Sequence, residues 1–271
     1  MEIIDLNQAV QCETAGHSSK GNQLKWRRGD YWYKADYMGY EGLAEVLVSR
    51  LLARTGAPGL VEYSPVMIAY RENTFRGCKS RNFLGSEEEL ITADRLIRQF
   101  TGRNLSAELG RIADVKERIL YLVENVTEIT GLNEFGAYLT AALEIDAVFL
   151  NEDRHVNNIA VIHCGEEQGY RLCPYFDYGL SLYADTTVDF KLGVPLEECR
   201  RRIEAKPFCR DFDEQMDLAE ELYGKQFRFR FDERDIRKEL VLMKEFYEEE
   251  ALKRVEMVLN RQRAKYGYLF C

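Results

Sequence analysis

The sequence predicts a bilobal α+β protein, with a small antiparallel-sheet N-lobe carrying one helix (residues 1–84) and a larger, mostly helical C-lobe (residues 85–271). Three observations carry that prediction. The 271 residues are 46% apolar and 31% charged, a balance that suits a folded chain able to bury a sizeable core. Apolar residues come in short, strand-like runs before Gly85 and follow a helical period after it. A cluster of polar residues, Asn151 to Asn158, stands at the exit of the most apolar helical stretch, where packing alone has no use for it.

In order along the chain, residues 23–35 read as a hairpin: QLKWR, a turn at Arg28-Gly29-Asp30, then the alternating YWYKA. From Glu41 the period becomes helical, with Leu43, Val46, Leu47 and Leu51 near one face, and Gly56 ends the helix. Residues 60–70 and 76–84 return to strand-like runs. Beyond Gly85, Ser86 followed by three glutamates predicts a helix start, with acids where the helix dipole favours them. Segments 111–126 and 134–150 read as helices, the second with Phe135, Tyr138, Ala142, Ile145 and Phe149 as a core stripe. Residues 159–162 and 170–173 form a second hairpin, and one long helix is expected from Asp232, with Ile236, Leu240, Met243, Tyr247, Leu252 and Val255 on one side.

Composition narrows the function classes. No apolar run approaches the ~20 residues of a membrane span, and no basic region followed by an apolar stretch marks a signal peptide. A net charge of −9 argues against direct nucleic-acid binding. The seven cysteines lack any C-x-x-C or Cys/His spacing of a zinc site, and scattered single thiols fit a reducing cytoplasm.

The polar cluster carries the chemistry. Asp153 and Asn158 lie five residues apart with a strand immediately after, and Asp177 follows the second hairpin in Phe176-Asp177-Tyr178-Gly179. Phosphoryl transfer uses such a set: a carboxylate to orient the acceptor hydroxyl and take its proton, and an amide and a second carboxylate to hold magnesium. Lys34, at the end of the first hairpin, could reach phosphates as a point charge, with Glu45 on the next helix holding it in place. Ser18, Ser19 and Gly21 belong to a turn whose backbone N–H groups could meet phosphate oxygens. Taken alone, Asp153-Arg154 reads as a solvated surface ion pair and Lys34–Glu45 as an ordinary salt bridge. It is their order along the chain that singles them out.

These segments resemble the HipA-like serine/threonine kinases, which are related at the active site to phosphatidylinositol 3/4-kinases. The family's loop S-x-x-G-x-Q-x-K is matched by Ser18, Gly21, Gln23 and Lys25. Its catalytic segment N-x-D-x-H-x-x-N is matched by Asn151, Asp153, His155 and Asn158, and its P-x-[FY]-D by Pro174, Phe176 and Asp177. The resemblance implies a protein-kinase-like fold with ATP and Mg2+ in the cleft between lobes. It implies Asp153 as catalytic base, Asn158 and Asp177 as magnesium ligands, and Lys34, partnered by Glu45, as the phosphate-binding lysine. His155 becomes a scaffold residue of the catalytic loop beside the nucleotide. Ser18 is similar to the loop serine that the family's toxins autophosphorylate, and Asn82, Phe83 and Leu84 are the candidate adenine-contacting hinge.

The expected partner is a protein substrate, the chain itself included. HipA toxins carry an extra N-terminal subdomain that contacts a DNA-binding antitoxin, and this chain starts barely a dozen residues before its phosphate loop. A separate small, antitoxin-like protein could supply that part. Two other readings stay open. Asp153-Arg154-His155 and Gly179 lean toward a lipid or small-molecule kinase, and the glycine-poor loop toward a nucleotide-binding pseudokinase scaffold. Ser181, Thr186 and Thr187 lie where an activation segment would, and read as unmodified loop residues.

Overall fold

A computed structural model describes residues 3–12, 23–56, 59–165 and 169–271. The chain divides into one unit of Met1–Asn82, Phe176–Ile203 and Arg228–Cys271, and another of Phe83–Tyr175 and Glu204–Phe227.

The first unit holds strands β1 (Ile3–Asp5), β2 (Val10–Cys12), β3 (Lys25–Arg28), β4 (Tyr31–Ala35), β5 (Tyr63–Tyr70) and β6 (Asn73–Arg81) in one sheet of order β1-β5-β6-β4-β3-β2. All neighbours are antiparallel except β1 and β5, which run parallel. The predicted hairpin is β3–β4, turned at Gly29, whose φ of 58° suits glycine. Trp26, Tyr33, Ala35, Val66 and Ile68 form an apolar cluster on one face of the sheet. Gly77 lets β6 and β4 approach, because a Cβ there would collide with the backbone oxygen of Lys34. Helix α1 (Glu41–Ala53) packs on β5 and β6.

The second unit holds the sheet β7 (Glu89–Thr92), β8 (Ala160–His163) and β9 (Tyr170–Leu172), all antiparallel. Helices α2 (Ala93–Thr101), α3 (Leu105–Arg111), α4 (Val115–Thr130) and α5 (Phe135–Phe149) follow in the chain. The core gathers Leu96, Ile97, Ile119, Leu122, Phe135, Leu139 and Phe208. The predicted stripe on α5 is correct but too narrow: the helix is buried nearly all round, as befits a central helix.

The chain then adds α6 (Leu196–Arg202) to the first unit, α7 (Phe212–Tyr223) to the second, and α8 (Glu233–Met243) and α9 (Glu249–Lys265) to the first. Two expectations need correcting. Ser86 starts no helix: Glu89–Thr92 pair with β8 as a strand, and the helix begins after Thr92, whose hydroxyl accepts from Arg95 N. Nor is the tail one helix. An Asp232–Asp235 capping box opens α8, and the chain breaks at 244–248, where Tyr247 turns inward and is buried.

Two carboxyl groups inside the fold lie far above their ordinary range. Burial, with Glu41 as a like-charged neighbour, pushes Asp36 up to about 7, against the pull of Gly42 N–H, Tyr247 and Arg76. Burial pushes Glu144 up to about 7 as well, although it accepts from Gln226 N (2.8 Å) and Phe227 N (2.7 Å). A folded-state pKa above the unfolded one means that the native state binds more protons, so this contribution is complete below pH ~4 and is lost as pH rises towards 7. Asp36→Asn should therefore flatten the pH dependence of urea-unfolding stability over that window, by roughly 4 kcal/mol at most. An unchanged slope between variant and parent would rule out a buried, protonated Asp36.

Candidate active site

Within the first unit, the pleat of β4 turns Lys34 away from the apolar cluster, opposite Cys78 on β6. Glu45 stands one turn into α1. Asp177 follows β9 at a left-handed φ of 62°. Lys34 Nζ lies 2.5 Å from Glu45 Oε1 and 2.7 Å from Asp177 Oδ1, and 5.2 Å above the Tyr63 ring. The second oxygen of Glu45 accepts from Tyr178 N at 2.9 Å, so one buried carboxylate fixes both the lysine and the backbone just past Asp177. Burial draws the Lys34 ammonium down, but the charges of Asp177 and Glu45 outweigh it and hold the group above its ordinary value. A charged lysine with side-chain exposure of 12%, beside an aspartate with 23%, leaves the aspartate the more open of the two.

Helix α1 is tied at both ends. The Glu41 carboxylate accepts from the N–H groups of Tyr37, Met38 and Gly39, and Asp36 Oδ1 accepts from Gly42 N. Met38 O accepts in turn from Thr186 N and Thr187 N, and Tyr40 Oη donates to Leu182 O at 2.7 Å. At the other end Arg50 and Arg54 pair with Glu239, and Arg54 also with Asp235, both on α8. In segment 177–190, Leu182 and Tyr183 are left-handed (φ 57° and 61°), Ser181 is buried and Thr187 is exposed.

Within the second unit, α5 ends on left-handed Leu150 (φ 54°), and the polar cluster forms a tight loop. Arg154 corrects the reading of a solvated Asp153–Arg154 pair. It is buried, and its Nε and Nη2 grip Asp146 of α5 at 2.8 and 3.0 Å while Nη1 donates to Asn158 O at 2.7 Å. Asn151 Nδ2 adds a third bond to Asp146, at 2.8 Å. Anchored this way, the loop presents Asp153. Asn158 Nδ2 donates to Asp153 O at 2.9 Å, which commits the amide nitrogen and leaves the amide oxygen as the atom that could meet a cation. His155 Nδ1 accepts from Asn157 N, placing the imidazole proton on Nε2, 3.7 Å from Asp153 Oδ2. On the other side Lys206 Nζ lies 3.6 Å from Asp153 Oδ1.

The predicted residues thus fall into two sets, Lys34–Glu45–Asp177 in one unit and Asp153–His155–Asn158 in the other. Asn82 accepts from Trp32 Nε1 at 3.2 Å and its N–H donates to Asp30 O at 2.6 Å. Phe83 O, in the second unit, accepts from Arg171. Ser18, Ser19 and Gly21 lie outside the described residues. Sequence reading missed Asp146 and Lys206. A lone aspartate in an apolar helix was a usable signal for the first; no pattern pointed to the second. Amide and carboxylate oxygens such as those of Asn158 and Asp177 are the hard donors that Mg2+ takes, with phosphates and water completing its shell. Among the described residues no three His, Cys, Asp or Glu side chains form a metal-ligating group, and no helix is long and apolar enough to cross a membrane.

No protein-family model matches the sequence, and no curated protein matches it. The structure does have a counterpart. It is similar, over 97% of this chain and 95% of the other, to the crystal structure of a Helicobacter pylori proinflammatory kinase, CtkA, with a TM-score of 0.63 and 16% sequence identity. At that identity the likeness is one of architecture: the chain has a mixed α+β, kinase-like fold.

Proposed function

We propose that the protein is a cytoplasmic, HipA-like kinase that uses ATP and Mg2+ to phosphorylate serine or threonine hydroxyls of a protein, its own chain included. The observation that carries this reading is the ion pair of Lys34 with Glu45 and Asp177. A strand lysine held by a helix glutamate, next to an aspartate that follows a strand, is the arrangement protein kinases use for nucleotide phosphates and metal. The kinase-like fold supports it.

Lys34 would bind phosphate oxygens, kept charged and aimed by Glu45. Asp177 and Asn158 would hold Mg2+, which when bound neutralises charge on the phosphates. Asp153 would orient the acceptor hydroxyl and take its proton as the phosphoryl group passes to that oxygen. His155 and Lys206 would set where the Asp153 carboxylate points.

The test is incubation with labelled ATP and magnesium, a panel of proteins and inositol lipids, and mass spectrometry of the chain itself. Phosphate should enter a protein hydroxyl, with Ser18 the expected autophosphorylation site. Asp177→Ala and Lys34→Met should both abolish incorporation while the circular-dichroism spectrum is retained. Full incorporation by Asp177→Ala would remove that residue from the chemistry. Phosphate on lipid alone would replace the protein-acceptor reading.

A further inference from the structure

A pocket of about 250 Å³ opens in the second unit beside Asp153. Arg118, His155 and Lys206 contribute its basic lining and Leu109 and Val156 an apolar one, and Gly110 of α3 lines it too. None of the described residues lining it is acidic, in a chain whose net charge is −9. Two of its basic members, His155 and Lys206, are the groups that flank the two oxygens of Asp153. Whatever occupies the pocket therefore sits next to the proposed base.

Size and charge define the occupant. The volume lies below the ~300 Å³ at which pockets for drug-sized ligands begin, and suits a single side chain. Arg118 offers charge but little of its fork, since Nε donates to Ile112 O at 2.8 Å and Nη1 to Phe208 O. A doubly charged phosphate is commonly held by a bidentate arginine. A lining that joins Lys206 and His155 to the apolar Leu109 and Val156 matches a carboxylate carried on methylenes.

We propose that this pocket receives an acidic side chain adjacent to the acceptor hydroxyl, so that the protein phosphorylates Ser or Thr within acidic peptide segments. The inference rests on the kinase reading and names its substrate class.

Two peptides that differ only in Glu or Gln beside one serine separate the possibilities, using the 271-residue chain. Rates with labelled ATP read turnover, and fluorescence anisotropy without nucleotide reads binding. The Glu peptide should be favoured about tenfold in kcat/KM, mostly through KM, the scale of one hydrogen bond to a charged group. Lys206→Met should bring that ratio close to one. Gly110→Glu offers a second route, because Gly110 lines the pocket and a Cβ there meets nothing within 4 Å, so an acid can be added at the lining without a backbone clash. It too should erase the preference.

Turnover of both peptides at equal kcat/KM would overturn the proposal and leave the kinase reading standing. Lys206-dependent preference for the Glu peptide in binding, with no turnover of either, would keep the pocket and remove the kinase. Tight Lys206-dependent binding of an inositol phosphate, with no discrimination between peptides, would reassign the pocket to a phosphorylated small molecule.

Discussion

Asp153→Asn should lower phosphate transfer by about 10²–10⁴-fold, the range for loss of a general base. The fold should not change. What anchors the loop is backbone at this residue, with Asp153 N donating to Asn151 and its O accepting from Asn158, and both bonds survive the substitution. The side chain itself meets Lys206 and His155 only at 3.6–3.7 Å, so an amide of the same shape fits in its place. Initial rates with labelled ATP, set beside urea-unfolding curves, would show kcat falling while the midpoint stays put. A variant with parental kcat would show that some other group takes the proton.

Arg154→Ala should cost roughly 3–5 kcal/mol of stability, the penalty for stranding a buried charge. Asp146 is fully buried in α5, and burial already pushes its pKa up against the pull of Arg154. Without the guanidinium, Asn151 alone would serve that carboxylate, and Asn158 O would lose its donor. Urea midpoints would report the loss. Pairing Arg154→Met with Asp146→Leu should recover much of it, because a well-packed apolar pair avoids the desolvation penalty. A single variant as stable as the parent would show that the pair lies open to water.

Local pattern made some of this legible and left the rest dark, for physical reasons. The β3–β4 hairpin, α1, α5 and the β8–β9 hairpin announce themselves through turn glycines and periodicity, which act over a few residues. Strand β1 does not, since only its distant parallel partner β5 makes three residues a strand. The Ser86 region misled because acids after a serine favour a helix locally, while Ile91 is drawn into a sheet by β8. At the site, Lys34, Glu45 and Asp177 could be picked out by order along the chain, and the structure brings them together. The burial of Arg154 and the approach of Lys206 were invisible, because each depends on a partner chosen by tertiary packing.

The ties at both ends of α1 bear on control. Kinases that are switched by swinging this helix away from the lysine store two alternative poses and let a signal choose between them. Here Leu182, Thr186 and Thr187 hold one end through Tyr40 and Met38, and the α8 acids hold the other, so swinging α1 outward would break both sets of ties. On the proposed reading the enzyme is born assembled, and its throttle must act elsewhere than on this helix.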